Sequence, residues 1–319
     1  MAFRKPATKK LGLKVLLQGK QGSGKTITAL TFPRIASIDG EAGQSFYENT
    51  DYGKNLLFVD NTQSFKELED NIEYIEDNYE EEDIQSLVID SETKVFNNLE
   101  ETLMVIEEKK ARENGRQVDD TNISMRSRGR IKYVAKKLQN LKIDLSSKGV
   151  NVVSIAQGKD IKTKQGDSWV TTGMEPDMVK GSEFDYDIVL EHFTDEDVKG
   201  KTHYKAKVLK DRTNVYKKGD IIENASYEMW KKVIDSRKDL DSLKTNFVQD
   251  TVDTKKAYEE DLVEESKSIV ERFATLLKES DVAVKAKIAD EMKAAKISSF
   301  EGLTAKQQEK LEKIYAKYK

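Results

Sequence analysis

The stretch GKQGSGKT, from Gly19 to Thr26, concentrates residue types that handle phosphates. Its G-x-x-x-x-G-K-[ST] spacing lets backbone N–H groups wrap a phosphate chain, a lysine reach the terminal phosphates and a hydroxyl hold Mg²⁺. Glycine suits Gly19, Gly22 and Gly24, because a Cβ would keep the main chain away from the phosphate oxygens and obstruct the wrap. Ser23 lies inside the same cradle, Lys25 is the cation and Thr26 the metal-side hydroxyl. An ordinary Gly/Ser turn before a helix is the plainer alternative. The context favours the cradle: Lys14–Gln18 reads as a buried strand, and Lys25–Leu30 as the start of a helix whose positive end faces the anion. ATP with Mg²⁺ is the expected ligand, and the motif is silent about its use.

A P-loop ATPase also needs a carboxylate at the end of a buried strand to orient the magnesium and its water. SLVID, Ser86–Asp90, is a continuous apolar run that ends in one, so Asp90 is the candidate, with a helix N-cap as its alternative. Hydrolysis further requires a group that orients water. Asp39 and Glu41 in IDGEAG both follow the second strand, at the edge where parallel sheets place ligands. Spacing does not separate them, and either could be a turn residue.

These residues need a sheet to hold them. Ile35–Ile38, Leu56–Asp60, Ser86–Asp90 and Val150–Gln157 read as further strands, and Asp187–Phe193 with His203–Asp211 as a pair joined by a polar turn. Helices are expected between them: an acidic one around residues 66–83 with Leu68, Ile72 and Ile75 inward, one over about 94–110, and one striped by Ile131, Val134, Leu138 and Leu141. The expected class is α/β, a mostly parallel sheet flanked by helices and extended by an antiparallel hairpin. Residues 1–235 form this core. Residues 236–261, highly charged and without apolar period, read as a linker. Residues 262–319 form a small helical domain, with one helix from Leu262 to Lys278, a second marked by Ile288 and Met292, and a third opened by a Thr304/Gln307 capping box.

Composition narrows the function. Hydrophobic residues make up 37% and charged residues 35% of the chain, and no apolar run approaches the roughly 18 residues of a membrane span, so no membrane partner and a cytoplasmic protein are expected. The basic N-terminus lacks the apolar segment of a secretory signal. With no cysteine and only His192 and His203, disulfides, thiol chemistry and a Cys/His zinc site are excluded. The net charge of −4 means that binding to a polyanion would rest on a local basic patch.

The order GKQGSGKT, IDGE, LVID, SIAQ and VLKDR resembles the RecA-type ATPase core over roughly residues 10–235, most closely the compact phage-encoded relatives that act in single-strand annealing and recombination. The resemblance implies a RecA-like P-loop sheet and gives Glu41 the water-activating role. It implies that Gln157 senses the γ-phosphate and opens a DNA-binding loop. It also implies that the K-x-R pair, Lys210 and Arg212, reaches into the nucleotide site of a neighbouring subunit. A homo-oligomer, ring or filament, is then expected, with single-stranded DNA as ligand. The helical tail would dock a single-strand binding protein or another replication or recombination partner.

Two segments could meet DNA. MRSRGRIKYVAKK carries Arg126, Arg128 and Arg130 among further lysines with no acidic residue, a field able to neutralise phosphates or simply a solvated helix face. The loop from Gly158 offers Lys159, Lys162, Lys164 and Trp169, cations to track a backbone and an aromatic to stack a base, although Asp160 and Asp167 weaken the field. Packing of Trp169 against the core is the alternative. Two rival functions remain. In a small-molecule kinase RSRGR would be a mobile lid, and in a nucleotide-gated interaction module turnover would be negligible.

Overall fold

Apolar runs build the centre of the sheet, and the polar residues that end them define its working edge. In the computed structural model, which describes residues 4–118, 122–166, 168–243, 245–266, 268–300 and 303–318, the strands are β1 (Lys14–Gly19), β2 (Ile35–Asp39), β3 (Leu56–Asp60), β4 (Ser86–Asp90), β5 (Asn151–Gln165), β6 (Ser168–Pro176), β7 (Ile188–Glu196), β8 (Thr202–Asp211) and β9 (Ile221–Glu223). Helices α1 (Lys25–Leu30), α2 (Phe65–Asn78), α3 (Glu92–Glu113), α4 (Met125–Ser147) and α5 (Glu228–Asp235) connect or follow them. The strand order is β3-β2-β4-β5-β1-β7-β8-β9. From β3 to β7 every pairing is parallel, and β7, β8 and β9 pair antiparallel. This is a mostly parallel α/β sheet, flanked by helices and extended by an antiparallel hairpin.

Burial on both faces explains the apolar runs. Along β4, Val88 points into a layer with Leu17, Ile155, Leu190 and Trp230, while Leu87 and Ile89 point into the opposite layer with Leu68, Ile72 and Leu138. Trp230 closes the first layer at 2% exposure, its indole N–H donating to Asp211 Oδ2 at 3.1 Å and its ring edge-on to Tyr216. Trp230→Ala is expected to cost about 3–5 kcal/mol, read as a lower urea midpoint with an unchanged m-value.

Register sets the working edge. Gly19 ends β1 beside Gln157 and His192, and Asp39 ends β2 beside Asp90. Four strands and β7 therefore deliver their polar residues to one carboxyl edge, the place where open α/β sheets bind ligands. Two expectations need correction here. The segment from Gly158 is not a loop: β5 runs on past Gln157 and pairs with β6 as an antiparallel ribbon, Lys164 opposite Trp169. Asp167 lies outside the described residues. In addition, much of the stretch expected as linker is helical, in α6 (Phe247–Ser266).

The chain divides into two units, Met1–Val248 and Gln249–Lys319. In the second, α7 (Ile269–Glu279), α8 (Val282–Ala294) and α9 (Ala305–Tyr318) pack around Phe273, Ile288 and Leu311. The single helix expected from Leu262 is instead interrupted, because Ser268 caps α7 in a capping box with Glu271. The box at Thr304 and Gln307 is present as expected. No helix among the described residues is long and apolar enough to cross a membrane.

Candidate functional site

The turn between β1 and α1 is shaped by its glycines. Gly22 and Gly24 take φ of 72° and 88°, in the left-handed region that side chains resist. Ser23 is buried and donates to the Lys20 carbonyl at 2.8 Å, which fixes the curl of the loop from inside. Lys25 Nζ donates to the same carbonyl at 2.7 Å and lines a cavity of about 740 Å³ with Thr26, Glu41, Asp90 and Gln157. Burial lowers the Lys25 pKa below the usual lysine range, while Asp90 and Glu41 pull it back up.

The structure brings the two magnesium candidates together. Thr26 Oγ1 donates to Asp90 Oδ2 at 2.8 Å. Burial pushes the Asp90 carboxyl up to about 6, and the nearby carboxylates of Glu41 and Asp39 add to this, against hydrogen bonds from Thr26 and Gln44. A buried carboxylate beside a hydroxyl is a hard-oxygen donor set that fits Mg²⁺. Among the described residues no group of three or more His, Asp or Glu gathers as a metal site. The helix N-cap alternative for Asp90 does not hold: Ser91 occupies that position.

Geometry also separates Asp39 from Glu41. Asp39 is 1% exposed, and its carboxylate accepts the backbone N–H groups of Glu41 at 3.2 Å and Gln44 at 2.8 Å. Both oxygens are committed to the turn. Glu41 instead faces the cavity, where its Oε1 accepts Ser91 Oγ at 3.0 Å and Gln157 Nε2 at 2.9 Å. Gln157 is held in turn by Thr93, whose hydroxyl accepts the Gln157 N–H at 3.0 Å and donates to the Asp177 carbonyl at 2.7 Å. Ser91 and Thr93 belong to the site and were not legible as such in the sequence.

A second cavity, of about 680 Å³, lies on the α1 side of the cradle and is lined by Tyr47, Tyr52, His192, Tyr204 and Asn224. Tyr204 packs against Gly24 so closely that a Cβ there would stand 3.2 Å from its ring. His192 is 3% exposed, and burial with the Lys25 charge takes its pKa down to about 4, so it is neutral at physiological pH. Nothing in the spacing of the sequence pointed to these residues.

The remaining candidates lie elsewhere. Lys210 and Arg212 sit at the amino edge of the parallel strands, Lys210 opposite Val189, away from this chain's own cradle. Lys210 donates to the Phe184 carbonyl at 2.8 Å, and Arg212 pairs with Asp187 at 3.2 Å. Arg126, Arg128 and Arg130 are exposed along the first turns of α4. The RSRGR segment is therefore regular helix, and none of its residues lines the nucleotide cavity. On the ribbon, the pairs Lys164–Trp169 and Lys162–Thr171 put two lysines and the tryptophan on one face. Trp169 is 67% exposed and is not packed against the core. Lys159 lies 4.0 Å from Asp177, and Asp160 pairs with Lys20 of the cradle at 3.2 Å.

No curated protein matches the sequence. Among solved structures, the KaiC-like protein of the hyperthermophilic archaeon Pyrococcus horikoshii OT3 is similar at 15% identity and a TM-score of 0.42, over 67% of this chain and 85% of that one. A family model described as an AAA domain matches residues 11–217, which span the cradle, Glu41, Asp90, Gln157 and the K-x-R pair. The chain belongs to the AAA domain family, whose P-loop ATPase core supports nucleotide binding and hydrolysis.

Proposed function

We propose that the protein binds and hydrolyses ATP with Mg²⁺ to drive single-stranded DNA binding in homologous recombination or strand annealing of the phage-encoded type. One observation carries the DNA part of this reading. The root of the β5–β6 ribbon rests on the cradle itself: a Cβ at Gly158 would stand 3.0 Å from the Gly19 carbonyl carbon and 2.2 Å from Met174 Sδ. A change in the cradle is thus felt at the base of a ribbon whose one face presents lysines and an exposed tryptophan. Gly19–Thr26 would hold the triphosphate, and the second cavity would offer the nucleotide base aromatic walls at Tyr204 and Tyr47. Lys210 and Arg212 lie remote from their own cradle, and would exchange their contacts with Phe184 and Asp187 to serve a neighbouring copy. That arrangement is the basis for expecting a ring or filament.

Phosphate release measured alone, with single-stranded DNA and with a nucleoside and nucleotide panel tests the reading. Stimulation by DNA supports it. Stimulation only by one small acceptor makes the protein a kinase, and negligible release under every condition makes it a nucleotide-gated module. The DNA surface gives a second expectation. Arg126, Arg128 and Arg130 replaced together by alanine lower DNA affinity and flatten its logarithmic salt dependence by about 2, since single strands release roughly 0.7 counterions per neutralised phosphate. Trp169→Ala lowers affinity by about 1–3 kcal/mol per stacked base with the slope nearly unchanged. Salt titrations of a fluorescent oligonucleotide measure both, and unchanged affinity in both variants removes the DNA role from these surfaces.

A further inference from the structure

The three residues after Asp90 are each committed in a different direction. Ser91 stands at the N-cap of α3 with extended φ and ψ of −121° and 148°, yet its side chain caps no backbone N–H. An N-cap serine ordinarily stabilises its helix by accepting such a bond. Here the hydroxyl is turned outward to Glu41, at 3.0 Å. Thr93 is spent sideways, on Gln157 and the Asp177 carbonyl. The start of α3 therefore has to be held by the residue between them.

Glu92 is fully buried and points inward. Its Oε2 accepts from Lys142 Nζ and from the Tyr186 hydroxyl, the latter at 2.9 Å, and its Oε1 accepts from Gln139 Nε2 at 3.2 Å. Lys142, 1% exposed, also donates to the Tyr186 hydroxyl at 2.7 Å. The carboxylate is thus held by three donors on two separate parts of the chain, α4 and the segment entering β7. A buried ion pair is weak evidence for stability, since apolar residues of similar volume often do as well. What it supplies is direction: three donors fix the carboxylate, and with it the first turn of α3, in one orientation. A carboxylate in a first turn is also favoured by the helix dipole.

We propose that Glu92 is a positioning residue for nucleotide hydrolysis, its buried contacts with Lys142, Tyr186 and Gln139 replacing the missing N-cap and holding Ser91 and Thr93 so that Glu41 and Gln157 face the γ-phosphate together. The inference rests on the ATPase reading above and adds to it the device that keeps the water-orienting pair in register. Active-site groups displaced by about 1 Å lose on the order of 10²-fold in rate, so a loosened turn is costly to chemistry while phosphate and metal contacts stay in place.

The test uses the full-length protein with Glu92→Gln, Lys142→Met and the two combined. Either single change leaves a buried polar or charged group without its partner and lowers the melting temperature. The double variant removes both charges and melts near the parent. In that double variant kcat is expected to fall about tenfold or more, with KM and the dissociation constant for ATP–Mg²⁺ within about twofold of the parent, because positioning acts on the chemical step. Tyr186→Phe, which keeps the ring and drops one donor, is expected to show a smaller loss of the same kind. A folded double variant with parental kcat, or one in which KM rises while kcat holds, overturns the proposal. If the double variant does not fold, Tyr186→Phe decides alone, with parental kcat as the overturning result. Absence of hydrolysis in the parent protein would instead overturn the ATPase reading itself and this inference with it.

Discussion

Lys25→Ala abolishes phosphate release and leaves the melting temperature within a degree or two of the parent, roughly ±0.5 kcal/mol in stability. The lysine is only partly buried, in the wall of the cavity. Its Nζ donates to the Lys20 carbonyl, an acceptor at the mouth of an open cavity that water can satisfy instead. On the proposed reading its role is electrostatic. In the cavity the ammonium stands among Asp90, Glu41 and the loop, where partial burial already lowers its pKa and where a phosphate chain would supply the compensating charge. Removing a cation aimed at charge that develops in the transition state costs about 10²–10³-fold or more in rate. Phosphate release by an assay sensitive to that range, alongside thermal unfolding, checks both halves. Normal turnover by Lys25→Ala would sink the ATPase assignment, and a large fall in melting temperature would show the lysine to be structural.

The parts of the fold that were legible in the sequence are those in which local chemistry and burial agree. KVLLQG before the glycines and SLVID before Ser91 are buried on both faces, so their apolar runs are continuous and their polar ends mark the carboxyl edge. The acidic helix α2 was readable because Leu68, Ile72 and Ile75 keep a helical period beneath its charges. The β5–β6 ribbon was not readable, for the opposite reason. Beyond Gln157 it is exposed on both faces, so no alternation of apolar and polar residues records its strands, and Gly166 with its positive φ of 63° was the one turn signal. Helix α6 is similar. Its described side chains beyond Val248 are exposed, and a helix without a buried stripe leaves no period to find.

Within the site, the divide runs between motif and register. The cradle, Thr26 and Asp90 follow from types and spacing alone. The choice between Asp39 and Glu41 does not, because it depends on which carboxylate curls back to meet N–H groups two and five residues on. Nor do the contacts of Ser91, Thr93, Glu92 and Lys142, which join elements far apart in the sequence.

That choice yields the second large expectation. Glu41→Gln keeps ATP–Mg²⁺ binding and loses turnover by about 10²–10⁴-fold, the usual worth of a group that accepts a proton in the transition state. The substitution preserves shape, and the amide oxygen can still accept from Ser91 Oγ and Gln157 Nε2, the two donors that hold the side chain at 3.0 and 2.9 Å. On the proposed reading the phosphates and metal would be held elsewhere, by the loop, Lys25, Thr26 and Asp90. Binding energy is thus retained while basicity is lost, so kcat falls and the ATP dissociation constant stays within a few-fold. Asp39→Asn should behave in the reverse manner. Its buried carboxylate accepts the N–H groups of Glu41 and Gln44, and an amide that offers one acceptor in place of two leaves a buried donor unpaired at about 1–3 kcal/mol. Lower melting temperature with smaller kinetic loss is its expected signature. Equilibrium binding of a fluorescent ATP analogue with Mg²⁺, single-turnover hydrolysis and thermal unfolding on both variants separate the two roles. Full turnover in Glu41→Gln together with a severe kinetic loss in a stably folded Asp39→Asn would transfer the water-orienting role to Asp39.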